Sequence, residues 1–160
     1  MKKQRRFQRI AREWLGTPYQ HRQRNKGVGV DCLQFFIAVL AEVGYDMSPV
    51  YAYSRSPRPN ELLDWIELCD FRPTKNSLVE RAKVMDVLVF QTRGIPHHLG
   101  LKLTRDTYIH ADIRDGIVEE KIEPWLNQKI HSIYRGNSLS KQKDTPPLRR
   151  GRMSIKLEDV

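Results

Sequence analysis

Near the start of the chain, from Phe7, apolar residues recur at helical spacing among polar and charged ones. The apolar positions recur every three or four residues, as on the buried face of a helix, and predict an amphipathic helix over FQRIAREWLG. A polar loop that carries two glycines, TPYQHRQRNKGVGV, follows this helix. The apolar stripe consists of Phe7, Ile10, Ala11 and Trp14.

Two further helices are expected before residue 70. From Leu33 to Val43 the apolar residues keep the spacing of a fully buried helix face, and Gly44 is placed to end this helix. The segment NELLDWIELC follows a proline-containing turn and predicts a short third helix with Asn60 near its N-cap. Cys69 ends the apolar face of that helix and is expected to be a small buried hydrophobic residue.

The hydrophobic period changes from helical to alternating after residue 84. VMDVLVF predicts a strand, and HHLGLKL alternates, with its leucines on one face and His98 and Gly100 on the other. DTYIHAD, GIVEEKI and KIHSIYR predict further short strands. Helices followed by antiparallel strands indicate an α+β domain, with the helices packed on a small antiparallel sheet. We expect the domain at residues 1–136 and a flexible basic tail at residues 137–160.

Composition narrows the class of protein. A chain of 160 residues suits one domain, and 39% hydrophobic with 29% charged residues is typical of a globular protein. The longest apolar run, FFIAVLAEVG, is interrupted by Glu42 and is too short to span a bilayer. The basic start MKKQRR is not followed by an apolar segment, so we expect no secretory signal.

The net charge of +9 is concentrated at the two ends. Residues 1–26 hold nine Lys and Arg against Glu13 alone, and residues 137–160 hold six against three acidic residues. Basic ends of this kind are suited to binding a polyanion, which could be nucleic acid, anionic lipid or an acidic cell-wall polymer. Because no aromatic-interleaved basic patch or nucleic-acid motif accompanies the charge, nucleic acid is not expected as the main partner.

Cys32 is the first candidate for chemistry. Asp31 is a suitable N-cap, which makes Cys32 the first residue of the second helix. The helix dipole and a nearby imidazolium favour a thiolate there and can lower its pKa from about 8.5 to roughly 3.5–7.5. The backbone N–H groups at this helix start can also hold an oxyanion. The alternative, a buried core cysteine, is disfavoured because Cys32 lies off the centre of the apolar face, beside the glycine loop.

A thiolate nucleophile needs a base and a group that orients the base. His98 lies in mid-strand on the face opposite the leucines, and Gly100 leaves room beside it. His97 is the rival, but alternation points it towards the core. His110, on the next strand, would approach His98 through antiparallel pairing and fix its tautomer. By spacing alone this pattern is weak, because a single histidine is more often structural or exposed.

The motifs together resemble the NlpC-type cell-wall cysteine peptidases, which are papain-like. WLGTPYQHRQRNKGVGVDCLQFF is similar to their signature: a helix ending in LGTPY, a glycine-bearing loop, and DC opening the central helix. MDVLVF resembles their GD-hydrophobic strand, HLGL their H-x-G-hydrophobic strand, YIHAD their IHA segment and KIHSIYR their last strand. The resemblance covers about residues 7–135. The compact form is similar to the branch encoded with phage-tail and gene-transfer-agent genes.

The resemblance implies a role for each matching residue. Cys32 would be the nucleophile, His98 the base that forms a thiolate–imidazolium pair with it, and His110 the orienting residue. Tyr19 of LGTPY would offer its hydroxyl to the oxyanion or substrate, and Asp31 would cap the helix and shape the cleft. The family cleaves peptide stems of peptidoglycan, commonly beside D-glutamate and diaminopimelate, through a thioester and without a metal or other cofactor.

The sequence departs from the family pattern at two places. Leu33 and Gln34 stand where the family has a small residue and a glycine, and Gln34 is expected to narrow or reshape the site. Met85 replaces the glycine before Asp86, which is expected to affect only a turn. Neither departure removes a residue that the resemblance marks as catalytic.

The resemblance leaves the route to the substrate open. The main expectation is a peptidoglycan hydrolase made in the bacterial cytoplasm and carried by a phage or phage-like tail to the cell envelope, with tail-tip proteins as partners. An exported antibacterial effector and a non-catalytic tail component that keeps the fold are the alternatives. A metal site built from His21, His97, His98, His110 and Asp112 is not expected, because the sequence lacks HExxH and CxxC spacings.

Overall fold

A computed structural model describes residues 1–47 and 58–137. Most of the predicted tail and part of the proline-containing turn before the third helix lie outside these residues. Three α-helices are present in the described part of the chain: α1 (Lys2–Arg12), α2 (Cys32–Val43) and α3 (Glu61–Leu68). The strands are β1 (Arg24–Asn25), β2 (Gly29–Val30), β3 (Phe71–Pro73), β4 (Val87–Thr92), β5 (Ile95–Lys102), β6 (Thr107–Asp112), β7 (Gly116–Lys121) and β8 (Ile130–Gly136).

The predicted α+β architecture is confirmed. Six strands form one antiparallel sheet in the order β3-β8-β4-β5-β6-β7, and β1 and β2 form a separate hairpin in the loop before α2. Two 3₁₀ helices, Val79–Arg81 and Pro124–Lys129, connect parts of the sheet. No helix within residues 1–47 and 58–137 has the length and apolar character needed to cross a bilayer.

The helices follow the predicted hydrophobic pattern, with differences at their ends. The whole stripe from Phe7 to Trp14 is buried, although α1 begins and ends earlier than the pattern predicts. Gly44 ends α2 in the left-handed conformation, at φ 114°. Asn60 is the N-cap residue of α3, as predicted, but its backbone is left-handed at φ 68° and its side chain makes no capping hydrogen bond. Cys69 is buried, as predicted.

The sheet separates two hydrophobic clusters. Val87, Val89 and the neighbouring Leu99 face the cluster that also contains the helices. Leu88 and Phe90 face a smaller cluster with the 3₁₀ helices, which the sequence did not predict. Because each strand alternates, the side chains of β5 and β6 are divided between the helical face and this second face.

Candidate active site

The start of α2 holds Cys32, with Asp31 as its N-cap. The Asp31 Oδ1 atom accepts a hydrogen bond of 2.9 Å from the Gln34 backbone N–H, and the helix begins at Cys32. The predicted helix start and cap are therefore confirmed. The cap is buried, since Asp31 is 1% exposed.

Asp31 also fixes the loop that precedes the helix. Its Oδ2 atom accepts a hydrogen bond of 2.7 Å from the backbone N–H of Arg22 and lies 3.6 Å from Nδ1 of His21. Tyr19, at the start of this loop, forms an isolated parallel β-bridge with Val30. The LGTPY segment therefore runs beside the residues that lead into α2. One carboxylate thus joins the helix cap to the loop, which is how Asp31 shapes this region.

The thiol of Cys32 is tied to strand β5. It accepts a hydrogen bond from the backbone N–H of Leu99, the residue next to His98. The β5–β6 ladder begins only at Gly100, which pairs with His110, so the Leu99 N–H lies outside that ladder. The donor to the thiol is therefore the backbone N–H of Leu99, the residue that follows His98, at the point where the pairing of β5 with β6 ends.

Burial controls the charge state of Cys32. Desolvation, reinforced by the Asp31 carboxylate, raises the pKa of the thiol to about 12, although backbone N–H groups of Leu99, Leu33 and Cys32 itself act in the opposite direction. The expectation of a lowered pKa is wrong for this state of the protein. The helix N-terminus favours the thiolate, but the cost of burying the charge is larger.

His98 and His110 form a direct pair, as the alternation of their strands predicted. The Nε2 atom of His98 lies 2.8 Å from Nδ1 of His110, and the rings are nearly perpendicular, at 77°. Burial lowers the pKa of His98 to about 3, helped by the positive potentials of His110 and His97 and opposed by Asp112. The resting state therefore combines a neutral thiol with a neutral imidazole.

A layer of rings surrounds the histidine pair on the sheet face opposite the helices. Phe90 lies 5.4 Å from His98, and Tyr108 lies 5.1 Å from His110, measured between ring centroids. A Cβ atom on Gly100 would lie 3.1 Å from Cε2 of Phe90 and 3.5 Å from Cβ of His110. Gly100 thus leaves room for this layer, as predicted.

His97 does not point to the core, so that prediction is wrong. Phe90 pairs with His98, and Gln91 pairs with Pro96, which makes His97 the extra residue of a β-bulge. His97 is exposed, and the Nε2 atom of its ring lies 2.9 Å from the hydroxyl oxygen of Thr92. The bulge reverses the alternation at this point and separates His97 from the His98–His110 pair.

The pair has two further partners that sequence reasoning missed. The Oε2 atom of Glu120 lies 3.0 Å from Nε2 of His110 and accepts a hydrogen bond of 2.6 Å from the Tyr108 hydroxyl. Tyr108 is directly opposite Glu120 in the β6–β7 ladder, while His110 is opposite Val118. The signal that could have identified Glu120 is the register of this hairpin, which places it on the same face as both rings.

The two departures from the family pattern have different outcomes. Gln34 is 1% exposed at the start of α2, and its expected effect on the shape of the site stays a prediction. Met85 has a left-handed backbone at φ 77° in the turn before β4. A glycine adopts this conformation more easily, so the effect of Met85 falls on the turn, as predicted.

A cavity of about 410 Å³ lies beside Tyr19. It lies between the loop that Asp31 fixes and the turn that joins β6 to β7. The turn is held against the LGTPY segment by the hydrogen bonds between Ile117 and both Gly16 and Thr17. The cavity is lined by Tyr19, Gln20, His21, Gln23 and Ile113.

Comparison with known proteins identifies the fold. Residues 16–135 match the NlpC/P60 family, and no curated protein sequence shows significant similarity to the chain. Among solved structures, the NlpC/P60 domain of the peptidoglycan hydrolase SagA is 20% identical with a TM-score of 0.52, over 82% of this chain and 96% of that one. The predicted papain-like, NlpC-type fold is confirmed.

Two longer proteins share the same fold at 16% identity and a TM-score of 0.60. The first is similar to a lipoprotein of the NLP/P60 family from Staphylococcus aureus, with 84% of this chain and 41% of that chain covered. The second is an NlpC/P60 family protein from Bacillus cereus, with 86% and 40% covered. The chain thus spans nearly all of the SagA domain but about two fifths of these two proteins.

Proposed function

The chain belongs to the NlpC/P60 family, and from this premise we propose that it is a cysteine peptidase that hydrolyses the peptide stems of bacterial peptidoglycan. The observation that carries the proposal is the bond between the Cys32 thiol and the Leu99 N–H, beside a His98 that is paired with His110. A cysteine at a helix start and two linked histidines are the parts that nucleophilic catalysis requires. The similar domain of SagA comes from a protein named as a peptidoglycan hydrolase.

The proposed reaction starts from the neutral pair. The Cys32 thiol transfers its proton to His98 as sulfur attacks the carbonyl carbon of the scissile peptide bond, so no isolated thiolate has to be stored. The carbonyl oxygen becomes an oxyanion, which the backbone N–H of Cys32 and the hydroxyl of Tyr19 stabilise. The C–N bond then breaks as His98 gives this proton to the leaving amine, and a thioester remains on Cys32.

Water completes the cycle in the proposed mechanism. His98 takes a proton from a water molecule that attacks the thioester carbon, and the second oxyanion forms in the same place. The C–S bond then breaks as His98 gives its proton to the Cys32 thiolate, and the peptide leaves as a carboxylic acid that releases its remaining proton to solvent. His110 keeps the His98 ring in one orientation throughout, through the 2.8 Å contact between Nδ1 and Nε2.

The proposed scissile bond lies beside D-glutamate and diaminopimelate, which rests on the resemblance of the Cys32, His98 and His110 motifs. The substrate would approach through the 410 Å³ cavity beside Tyr19. The test is digestion of purified stem peptides that contain either diaminopimelate or lysine, with mass spectrometry of the fragments. Fragments that begin at diaminopimelate support the assignment, while cleavage elsewhere overturns it.

The basic N-terminal helix supplies a proposed contact with acidic wall polymers. Arg9 is paired with Glu13, and Arg12 with Glu119, whereas Lys2 and Arg5 have no acidic partner among the described residues. The test compares binding of the wild type and of Lys2→Gln/Arg5→Gln to purified cell walls at low and high salt. Weaker binding by the double variant at low salt alone supports the contact.

Delivery by a phage or phage-like tail is part of the proposal and rests on the resemblance to the tail-associated branch. Its test is detection of the protein in purified tail particles by mass spectrometry. An immunity protein encoded beside the chain and secretion without tail particles would instead support an exported effector. The domain proposed at residues 1–136 is tested by the activity of a chain that ends there.

A further inference from the structure

We propose that Glu120 is a positioning residue that fixes where the protons lie in the His98–His110 pair. The catalytic meaning of this inference rests on the proposed peptidase function. The inference is based on two consecutive contacts. The Nε2 atom of His98 lies 2.8 Å from Nδ1 of His110, and Nε2 of His110 lies 3.0 Å from Oε2 of Glu120.

The carboxylate determines the direction of these hydrogen bonds. An ionised Glu120 can only accept, so Nε2 of His110 must carry the proton in their contact. A neutral His110 then has a bare Nδ1, which must accept a proton from Nε2 of His98. A neutral His98 that holds its proton on Nε2 has its lone pair on Nδ1, where it is free to take the Cys32 proton.

Glu120 is itself held in place. The Tyr108 hydroxyl donates to the same oxygen, Oε2, at 2.6 Å, and Tyr108 is directly opposite Glu120 in the β6–β7 ladder. Tyr108 is 4% exposed and His110 is 7% exposed, while 51% of the Glu120 side chain is accessible. Two buried rings thus orient an acid that reaches the pair from the solvent side.

The nearby alternative acid is already committed to another contact. Asp112 influences both histidines electrostatically, but its Oδ1 atom accepts the backbone N–H groups of Arg114 and Asp115 at 2.8 and 2.9 Å. Within the described residues, Glu120 is the acid with a hydrogen bond to a ring nitrogen of the pair. It also gives the pair a negative neighbour when His98 becomes an imidazolium during the reaction.

The full chain labelled with ¹⁵N-histidine provides the direct test. In the wild type, nitrogen chemical shifts should show both His98 and His110 protonated on Nε2 and bare on Nδ1. Glu120→Gln keeps an acceptor oxygen and should preserve this pattern, whereas Glu120→Ala should mix the two tautomers of His110. Glu123→Ala removes the same charge from a nearby exposed site and should leave the spectrum unchanged.

A wild-type His110 protonated on Nδ1, or a Glu120→Ala spectrum equal to that of the wild type, would overturn the inference. A loss of packing alone would not select one tautomer, so the readout separates positioning from a structural role.

The kinetic consequence is measured on peptidoglycan stem peptides. Glu120→Ala should lower kcat by about 10- to 100-fold with little change in KM, and Glu120→Gln should lose less because it keeps the acceptor. An unchanged kcat in Glu120→Ala would contradict the role in catalysis. The wild type could show the expected tautomers, and Glu120→Ala could lose them, while the wild type cleaves no stem peptide. That result would support the positioning role of Glu120 and contradict the proposed substrate.

Discussion

The backbone N–H of Leu99 is hydrogen-bonded to the thiol of Cys32, which fixes the start of α2 against the strand that carries His98. The β5–β6 ladder starts one residue later, at Gly100, so this donor lies outside that ladder. The site is therefore assembled where strand pairing ends. The same packing accounts for the neutral charge state, because Cys32 and His98, although partly exposed, are both desolvated enough to disfavour their charged forms.

Alkylation of Cys32 in the free protein should increase with pH and show no plateau near neutrality. Burial raises the pKa of Cys32 to about 12, so the reactive thiolate becomes common only in alkaline solution. The measurement is the rate of iodoacetamide modification from pH 5 to 10, in a Cys69→Ala background that leaves one cysteine. A constant high rate between pH 5 and 7 would instead reveal a stored thiolate–imidazolium pair.

His98 should make folding sensitive to acid. Its folded pKa, about 3, is below the unfolded value of about 6.5, so the unfolded chain takes up the proton first as the pH falls. The stability that this pKa difference contributes to the folded state is fully present above pH 6.5 and is lost progressively as the pH falls towards 3. Between pH 6.5 and 4.5 the free energy of unfolding should fall on the order of 2 kcal/mol more in the wild type than in His98→Gln.

Urea unfolding at the two pH values measures this difference. Titration of the other acidic groups is common to both proteins and cancels in the comparison. Equal losses in the wild type and in His98→Gln would show that His98 does not titrate below its ordinary range.

Gly116 should be far less tolerant of alanine than Gly27. Both have left-handed backbones, at φ 73° and φ 79°, but a Cβ atom on Gly116 would collide with the carbonyl oxygen of Thr17, whereas Gly27 faces open space. Gly27→Ala should cost about 1 kcal/mol from its backbone conformation alone. Gly116→Ala should cost at least about 2 kcal/mol more.

Thermal or urea unfolding of the two glycine variants tests the contact between the β6–β7 turn and the LGTPY segment. Because this turn borders the cavity beside Tyr19, Gly116→Ala should also reduce activity in the fraction that remains folded. Equal destabilisation of both variants would exclude a close contact at Thr17.

Arg93→Asn should stabilise the protein. Arg93 and Gly94 form the β4–β5 turn with φ values of 52° and 79°, and asparagine tolerates such a position better than arginine. The expected gain is about 0.5–1 kcal/mol in the free energy of unfolding. Arg105→Asn serves as the control. Arg105 is an exposed turn residue whose backbone is not left-handed, and its replacement removes the same charge. A gain of equal size in both would mean that charge, not conformation, is responsible.

The parts of the site that depend on local pattern were predictable from the sequence. The cap at Asp31 and the helix start at Cys32 follow from residue types and helical spacing, and the pairing of His98 with His110 follows from alternation in two adjacent strands. Gly100 was expected to leave room because it lies between them. Each of these inferences uses neighbours along the chain or in one hairpin.

The parts that were missed depend on register and burial. A single bulge reverses the direction of His97, and alternation alone cannot locate it. Glu120 enters through the register of the β6–β7 hairpin. The raised pKa of Cys32 reflects how much protein covers the thiol, which is a property of the packed fold rather than of the helix start.

Cys32-dependent release of fragments from purified peptidoglycan tests the central claim most directly. The wild type and Cys69→Ala, which changes the other cysteine, should release stem-peptide fragments detected by mass spectrometry, and Cys32→Ala should release none. The claim would be contradicted if Cys32→Ala released the same fragments, or if folded wild-type protein with an intact Cys32 thiol released no fragments at all.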